Sequence, residues 1–161
     1  LDKAYLYDSA GDDALLSRPQ SVYINGPGFY EFVEGFDEVR AYATAGGVDR
    51  AYLYDSGGDD WLLSRPDFSY LYGTNFYNYV QGFEEVSALA TGGGYDTSYL
   101  VDSPGSDALR GRGNWYRLTW PGRFSYGERF DRVLAYSLNG GTDTLDVQAV
   151  DYLFEKFGAW V

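Results

Sequence analysis

The sequence predicts an all-β protein: a right-handed parallel β-solenoid, or β-helix, of three 47-residue repeats with a C-terminal capping helix. Three observations predict it: a segment that returns at a fixed step, apolar residues that alternate along each strand, and glycine turns that keep the same step. The repeated segment begins at Ala4, at Ala51 and, in altered form, at Ser98, a step of 47 residues each time. Repetition without drift in length indicates stacked equivalent units, each burying a face of its neighbour.

The first strand of each repeat alternates with period two. In Ala4-Tyr5-Leu6-Tyr7, alanine and leucine share one face and the tyrosines share the other. Steps of 47 residues predict an inner ladder of Leu6, Leu53 and Leu100 and an outward row of Tyr5, Tyr52 and Tyr99. Such a row has two interpretations, a surface that stacks on sugar rings and a row present because tyrosine favours strands.

Later strands in each repeat supply two further inner ladders. Their members are Leu15, Leu62 and Leu109, and then the segments 39–43, 86–90 and 133–137, which are rich in valine and alanine. Glycine pairs at 46–47, 93–94 and 140–141 mark turns in register. Whether 47 residues form one coil or two coils of about 23 residues stays open at this stage.

The chain reads as one domain over residues 1–161. The repeats span 2–48, 49–95 and 96–142, and a cap spans 143–161. In the cap, apolar residues follow helical spacing at Val147, Val150, Leu153, Phe154 and Phe157. We therefore expect an amphipathic helix there, covering the open edge of the last coil.

The composition restricts the classes of function. The net charge is −12, which disfavours binding to nucleic acid or to anionic membranes, since both present negative charge. Cysteine and histidine are absent, which excludes disulfides, thiolate metal sites and imidazole catalysis. No segment predicts a signal peptide or membrane insertion. Methionine is absent even at position 1, so we expect a piece of a longer polypeptide.

The segment Gly46-Gly-Val-Asp-Arg-Ala51, continued by Tyr54-Asp-Ser-Gly-Gly-Asp-Asp-Trp-Leu62, resembles repeat arrays of very large secreted bacterial proteins. In those arrays the pattern Asp-x-Ala-x-Leu-Tyr-Asp-Ser-x-Gly-x-Asp recurs beside polysaccharide-processing, adhesion and docking domains. The resemblance covers about residues 1–145 and implies secretion, an extracellular location and flanking domains of a larger protein. A weaker resemblance, to calcium-binding β-roll repeats, covers half of their Gly-Gly-x-Gly-x-Asp-x-Leu turn.

Aspartates repeat with the same step and are the candidate metal ligands. One ladder contains Asp8, Asp55 and Asp102, and another contains Asp13, Asp60 and Asp107, with Asp12 and Asp59 adjacent. From the half-matching turn, Asp12, Asp13, Asp59 and Asp60 are the predicted calcium ligands. The alternative is a ladder in which Arg18, Arg65 and Arg112 neutralise the carboxylates, with aspartates also capping turns. No cofactor other than calcium is expected.

The third repeat departs from the pattern of the first two. Residues 110–132 hold six arginines against Glu128 and Asp131, a local charge of about +4 on an acidic chain. Arginine pairs with carboxylate or sulfate, and aromatic faces stack on sugars. The candidate glycan-binding residues are Arg110, Arg112, Trp115, Tyr116, Arg117, Trp120, Arg123 and Tyr126. The alternative is a terminal repeat that has degenerated.

The sequence therefore predicts a non-catalytic module that binds acidic polysaccharide. One alternative is an enzyme that degrades polysaccharide. It would be either a lyase, with Tyr116 or Tyr126 as base and Arg117 neutralising a uronate, or a glycoside hydrolase that uses a pair of carboxylates from the aspartate ladders. The other alternative is a rigid structural or adhesion spacer, stiffened by calcium.

Overall fold

The computed structural model describes residues 1–161 and contains seventeen β-strands and no α-helix. The strands form two sheets, sheet A with eight strands and sheet B with nine, which face each other across one core. The predicted fold class, an all-β solenoid, is confirmed. The structure contains no helix of the length and apolar character needed to cross a membrane.

Each repeat contributes five strands. The first repeat has β1 (Lys3–Tyr7), β2 (Ala14–Arg18), β3 (Ser21–Gly26), β4 (Phe29–Glu34) and β5 (Glu38–Tyr42). The second has β6 (Arg50–Tyr54), β7 (Trp61–Ser64), β8 (Phe68–Gly73), β9 (Phe76–Gln81) and β10 (Glu85–Leu89). The third has β11 (Thr97–Val101), β12 (Ala108–Gly113), β13 (Trp115–Trp120), β14 (Arg123–Glu128) and β15 (Arg132–Ser137). The chain ends with β16 (Thr144–Val150) and β17 (Leu153–Gly158).

Within a repeat the chain crosses between the sheets twice. In the first repeat, β1 lies in sheet A, β2, β3 and β4 form an antiparallel meander in sheet B, and β5 returns to sheet A beside β1. All pairings between one pass of the chain and the next are parallel, as in a solenoid, and the antiparallel ladders are confined to the meanders.

Successive repeats exchange the two sheets. The second repeat places β6 and β10 in sheet B and its meander, β7 to β9, in sheet A, while the third repeat restores the arrangement of the first. The order in sheet A is β1-β5-β9-β8-β7-β11-β15-β17, and in sheet B it is β16-β12-β13-β14-β10-β6-β2-β3-β4. Equivalent residues of neighbouring repeats therefore lie on opposite sheets. Neither one coil per 47-residue repeat nor two coils of about 23 residues describes this arrangement.

This exchange corrects the predicted tyrosine row. Tyr5 and Tyr99 face outward from sheet A, whereas Tyr52 faces outward from sheet B, so the three rings share no surface. A 47-residue period reports equivalent environments, and it does not report which sheet a strand joins.

The inner positions are those that alternation predicts. Leu6, Leu53 and Leu100 are at most 2% exposed, and so are Leu15, Leu62 and Leu109. Each buried leucine contributes about 1.5–3 kcal/mol relative to an exposed one. The small side chains of Ala41, Ala88 and Ala135 are also buried, in the strands that stack directly on the leucine strands.

Glycine is required where consecutive turns pack backbone against backbone. A Cβ atom on Gly94, whose φ is +106°, would lie 2.2 Å from the carbonyl oxygen of Gly58. The same contact joins Gly47 to Gly11 and Gly141 to Gly105. These glycines let each turn stack closely on the turn of the preceding pass.

The predicted C-terminal helix is wrong. Residues 144–158 form two strands, with β16 paired to β12 in sheet B and β17 paired to β15 in sheet A. The exposed edges of β12 and β15 offer rows of hydrogen-bond partners, and this tertiary context overrides the helical spacing of the apolar residues. Aromatic side chains then close this end: Trp160 is buried and donates from Nε1 to the carbonyl of Ala135.

Candidate functional site

Three aspartate triads occupy corners where the chain crosses between the sheets. In each triad one aspartate directly follows a strand, the second directly precedes the next strand, and the third directly precedes the strand that stacks on that next strand. Within each triad, carboxylate oxygens lie within 4.8 Å of one another. The triads are Asp8, Asp13 and Asp49; Asp55, Asp60 and Asp96; and Asp102, Asp107 and Asp143. Because the repeats exchange sheets, the second triad lies on the opposite edge of the solenoid from the other two.

Backbone amides orient the carboxylates, as the second triad shows. Asp60 accepts hydrogen bonds from the backbone N–H and hydroxyl of Ser56, both at 2.8 Å to Oδ2. The N–H of Asp60 in turn donates to Oδ1 of Asp96 at 2.9 Å, and Gly92 donates to Asp55 at 2.8 Å. The two other triads repeat the link, from Asp13 to Asp49 at 2.8 Å and from Asp107 to Asp143 at 2.9 Å.

No basic side chain neutralises the triads. The guanidinium of Arg18 lies over the ring of Tyr54, and that of Arg65 lies over the ring of Phe68. Arg112 forms a two-oxygen salt bridge with Asp146 at 2.8 Å. The predicted aspartate–arginine ladder is therefore wrong, and the triads contain three carboxylates without an ion-paired cation.

The burial of these carboxylates changes their acid–base behaviour. Desolvation is the largest effect, and with the nearby charges of Asp55, Asp60 and Asp131 it raises the pKa of Asp96 to about 7, although the N–H of Asp60 opposes the shift. Burial also raises the pKa values of Asp49, Asp60 and Asp107. Charged oxygens held together and out of water favour a bound cation or a proton, so the clusters could hold metal ions.

The third triad receives more support from neutral side chains than the others. Ser137 donates its hydroxyl to Asp143 at 2.6 Å, where the preceding repeats have Ala43 and Ala90. Asn139 donates to Asp102 from both its backbone and its side-chain nitrogen. We therefore expect the third triad to tolerate the absence of a cation better than the second.

The structure divides the predicted metal ligands into two groups. Asp13 and Asp60 belong to triads, whereas Asp12 and Asp59 are exposed and accept the backbone N–H groups of Val48 and Tyr95. Asp13 and Asp60 are the only triad members among the predicted ligands. Asp8, Asp55, Asp102 and Asp107 belong to the predicted ladders but not to the predicted ligands, and the third member of every triad is in neither group: Asp49, Asp96 and Asp143. These three aspartates recur every 47 residues, and this repetition could have marked them as candidate ligands. Their position beside the other two members of each triad depends on the parallel pairing of strands, which the sequence does not show.

The arginine-rich segment of the third repeat forms the meander β12–β14 in sheet B. Arg110 and Arg117 are exposed on its outer face and form no salt bridge, and Trp115 is half-buried and stacks on Tyr126. A depression of about 400 Å³ lies between Arg110, Trp115 and Arg117. We call Arg110, Trp115, Arg117 and Tyr126 the basic face.

The other predicted glycan-binding side chains are buried or already bonded to other parts of the protein. Tyr116 and Trp120 are in the core, where the Tyr116 hydroxyl bonds with Ser98 at 2.6 Å and Trp120 donates to the carbonyl of Val101. Arg112 is paired with Asp146, and Arg123 donates to the carbonyl of Pro66. Alternation along β13 explains the division, since Trp115 and Arg117 face out while Tyr116 and Leu118 face in.

The residues named for an enzymatic alternative do not converge. Tyr116 faces the core, and burial raises its pKa far above the ordinary value for tyrosine. Tyr126 faces outward beside Arg117, its cross-strand partner, and donates its hydroxyl to Glu128 at 3.0 Å. Burial, followed by this carboxylate, raises the pKa of Tyr126. Only Tyr126 and Arg117 share a surface.

Comparison with protein-family models, with curated proteins and with solved structures returned no match to this chain. The fold defines the class, a β-solenoid, and the aspartate triads define its most regular chemical feature.

Proposed function

We propose that this chain is a calcium-stabilised structural module, a rigid spacer within a larger secreted protein. The observation that carries the proposal is the aspartate triad, repeated three times without a neutralising basic side chain. Like charges held this close repel one another unless a proton or a cation reduces the repulsion. A cation at each corner would tie two passes of the chain together and stiffen the solenoid.

Calcium suits the donor set better than softer metals. It takes six to eight oxygen ligands at about 2.3–2.6 Å, so two oxygens sharing one ion lie at most about 5 Å apart. The separations within the triads fall in this range. Protein carboxylates would supply part of such a shell and water would supply the rest. Weak sites of this kind are occupied at the roughly millimolar calcium of extracellular fluids, which agrees with the proposed location.

The experiment compares Asp60→Asn with Asp59→Asn in metal-stripped protein. The two aspartates are adjacent, but only Asp60 belongs to a triad. We expect calcium to raise the melting temperature of the native chain and of Asp59→Asn, because it binds only the folded state. The increment should be clearly smaller for Asp60→Asn, and isothermal titration calorimetry should show one site fewer. An unchanged melting temperature for the native chain at millimolar calcium contradicts the proposal.

A second function, binding of acidic polysaccharide, is supported by the basic face. Arg110 and Arg117 form no salt bridge, and they flank the open depression beside Trp115. Guanidinium groups free of protein carboxylates can pair with uronate or sulfate groups. We expect Arg110→Ala combined with Arg117→Ala to lower affinity for polygalacturonate about tenfold or more. Arg132→Ala, which removes an arginine paired with Glu155 on sheet A, is the control.

This binding should also weaken as salt rises, because exposed charges are screened. Affinity electrophoresis at low and high ionic strength measures both effects. Equal retardation of the double variant and the control by polygalacturonate contradicts a role for the basic face.

A further inference from the structure

The outer face of sheet A carries an apolar groove that lies on the opposite side of the molecule from the basic face. Two depressions of about 270 and 250 Å³ share Leu63 and Tyr99 and together form it. Rings of β8 stand on one side, and Tyr136 of β15 stands on the other. We call this feature the sheet A groove; its main lining residues are Trp61, Leu63, Tyr70, Tyr72, Tyr99 and Tyr136.

The groove lies along β7 and β11, where two large outward side chains, Trp61 and Tyr99, alternate with shorter ones. On β7 and β11 the outward positions include Leu63, Thr97 and Val101, and Thr97 lies directly opposite Trp61 in the strand pairing. One face of Trp61 stacks on Tyr72, with ring centroids 5.4 Å apart.

The polar atoms of the lining have no partner within the protein. The indole N–H of Trp61 and the hydroxyls of Tyr70, Tyr72, Tyr99 and Tyr136 take part in no protein hydrogen bond, in contrast to the buried indoles of Trp120 and Trp160, which both donate to backbone carbonyls. Aromatic rings with free polar tips provide both contacts that a sugar ring uses, a flat apolar surface and hydrogen-bonding groups at its edge.

The charge of the groove favours an uncharged ligand. No acidic residue lines it, and its one charged group is Arg65 at one end. The chain has a net charge of −12, and the groove, unlike the basic face, has only one arginine to offset that charge, so it does not attract a polyanion. Arg65 forms no salt bridge, so its guanidinium can donate to sugar hydroxyls.

The dimensions and position disfavour a protein partner. From Trp61 to Arg65 the groove runs about 13 Å along the strand, too little for a stable protein–protein interface of about 1,000 Å². The backbones of β7 and β11 are already paired on both sides, so no peptide can add as a strand there. A single polymer chain lying across the rings fits the space.

We propose that the sheet A groove binds one chain of an uncharged polysaccharide, with a sugar ring stacked beside Trp61. This site is independent of the aspartate triads and of the basic face. The module would then combine a rigid scaffold with a surface that holds neutral glycan.

The test is affinity electrophoresis of the full chain, in calcium-containing buffer, through gels with hydroxyethylcellulose, xyloglucan or galactomannan. We expect at least one of these polymers to retard the native chain and Trp61→Ala to lose about tenfold or more in affinity, as is common for a central aromatic contact. Tyr23→Ala is the control, because Tyr23 is also half-buried and packs on another tyrosine, Tyr30, but lies on sheet B outside the basic face. Retardation should be insensitive to salt, unlike binding of polygalacturonate at the basic face.

Tyr99→Ala provides a second variant on the floor of the groove, in case Trp61→Ala fails to fold by far-ultraviolet circular dichroism. Absence of retardation by all three polymers overturns the proposal. So does equal retardation of the native chain and both groove variants, or an equal loss in Tyr23→Ala. Saturable binding of a proline-rich peptide, without any polysaccharide, would instead make the groove a site for a polyproline helix and would also overturn it.

Discussion

At the residue scale, Asp96 shows how the fold changes the chemistry of a side chain. Its ordinary pKa is 3.8, and burial among Asp55, Asp60 and Asp131 raises it to about 7 in the metal-free protein. The same carboxylate would be exposed and ionised at neutral pH in an unfolded chain. Because the pKa of Asp96 differs between the folded and unfolded states, the stability of the protein depends on pH.

The metal-free protein should become less stable as the pH rises from about 4 to about 7. In this range the folded state holds a proton on Asp96 that the unfolded chain has already lost, so the free energy of unfolding falls as the pH rises. Glu38, whose pKa Lys3 lowers, loses its charge only below its ordinary value of 4.5 and acts outside most of this window. Melting temperatures in chelator at about pH 5 and about pH 8 measure the effect.

Calcium should remove most of this dependence if it binds the ionised triads, and the same pair of melting curves with calcium is the control. A metal-free protein that is equally stable, or more stable, at the higher pH would contradict the placement of Asp96 among buried carboxylates.

At the element scale, the paired glycines at the turns have different roles. Gly94 packs on the backbone of Gly58, and a Cβ there would lie 2.2 Å from a carbonyl oxygen. Gly93 also has a positive φ, +101°, but a Cβ there meets no atom within 4 Å. Glycine recurs at both positions in the repeated sequence. The repetition does not show whether a glycine is needed for its backbone conformation, as at Gly93, or also for close packing, as at Gly94.

Substitution by alanine should separate the two roles. Gly93→Ala should cost about 1–2 kcal/mol, since it carries only the strain of the left-handed backbone. Gly94→Ala carries that strain and a backbone clash, so it should cost at least about 2 kcal/mol more. Urea unfolding followed by circular dichroism measures both. Equal losses would show that the turns do not stack as closely as the structure describes.

The strands β16 and β17 illustrate the same limit for a longer segment. Apolar residues at 147, 150, 153, 154 and 157 fit a helix, and the segment nevertheless forms strands. The segment is short, and the free edges of β12 and β15 decide its structure through parallel pairing. Local periodicity cannot report a hydrogen-bonding edge supplied by residues far away in the sequence.

At the scale of the whole molecule, the exchange of sheets joins the repeats. The second repeat pairs with the first through β5–β9 in sheet A and β2–β6 in sheet B. It pairs with the third through β7–β11 and β10–β14. Each neighbouring pair of repeats thus shares one ladder in each sheet, around a continuous core.

We therefore expect the chain to unfold in one cooperative step. Tryptophan fluorescence reports the second and third repeats and the C-terminal end, while far-ultraviolet circular dichroism reports all strands. The two thermal transitions should coincide when calcium is saturating. Separate transitions, or a stable fragment of residues 49–95 alone, would show that the repeats fold independently.

The sequence by itself determined the all-β class, the 47-residue repeat, the inner leucine ladders and the two ladders of aspartates. These features depend on alternation along a strand and on repetition, which are local or periodic and can be read directly from the residues. The sequence also has six arginines in the third repeat. Which of the neighbouring aromatic side chains reach the surface depended on which face of β13 points outward, and the structure shows this.

Only the tertiary structure decided which sheet each repeat joins, how three aspartates meet at one corner and where the sheet A groove lies. The triads combine two turns from separate passes of the chain, and the groove combines strands from the second and third repeats. Both depend on strand pairing between distant segments. That pairing is set by burial and hydrogen bonding over the whole core, and the repeat period does not contain it.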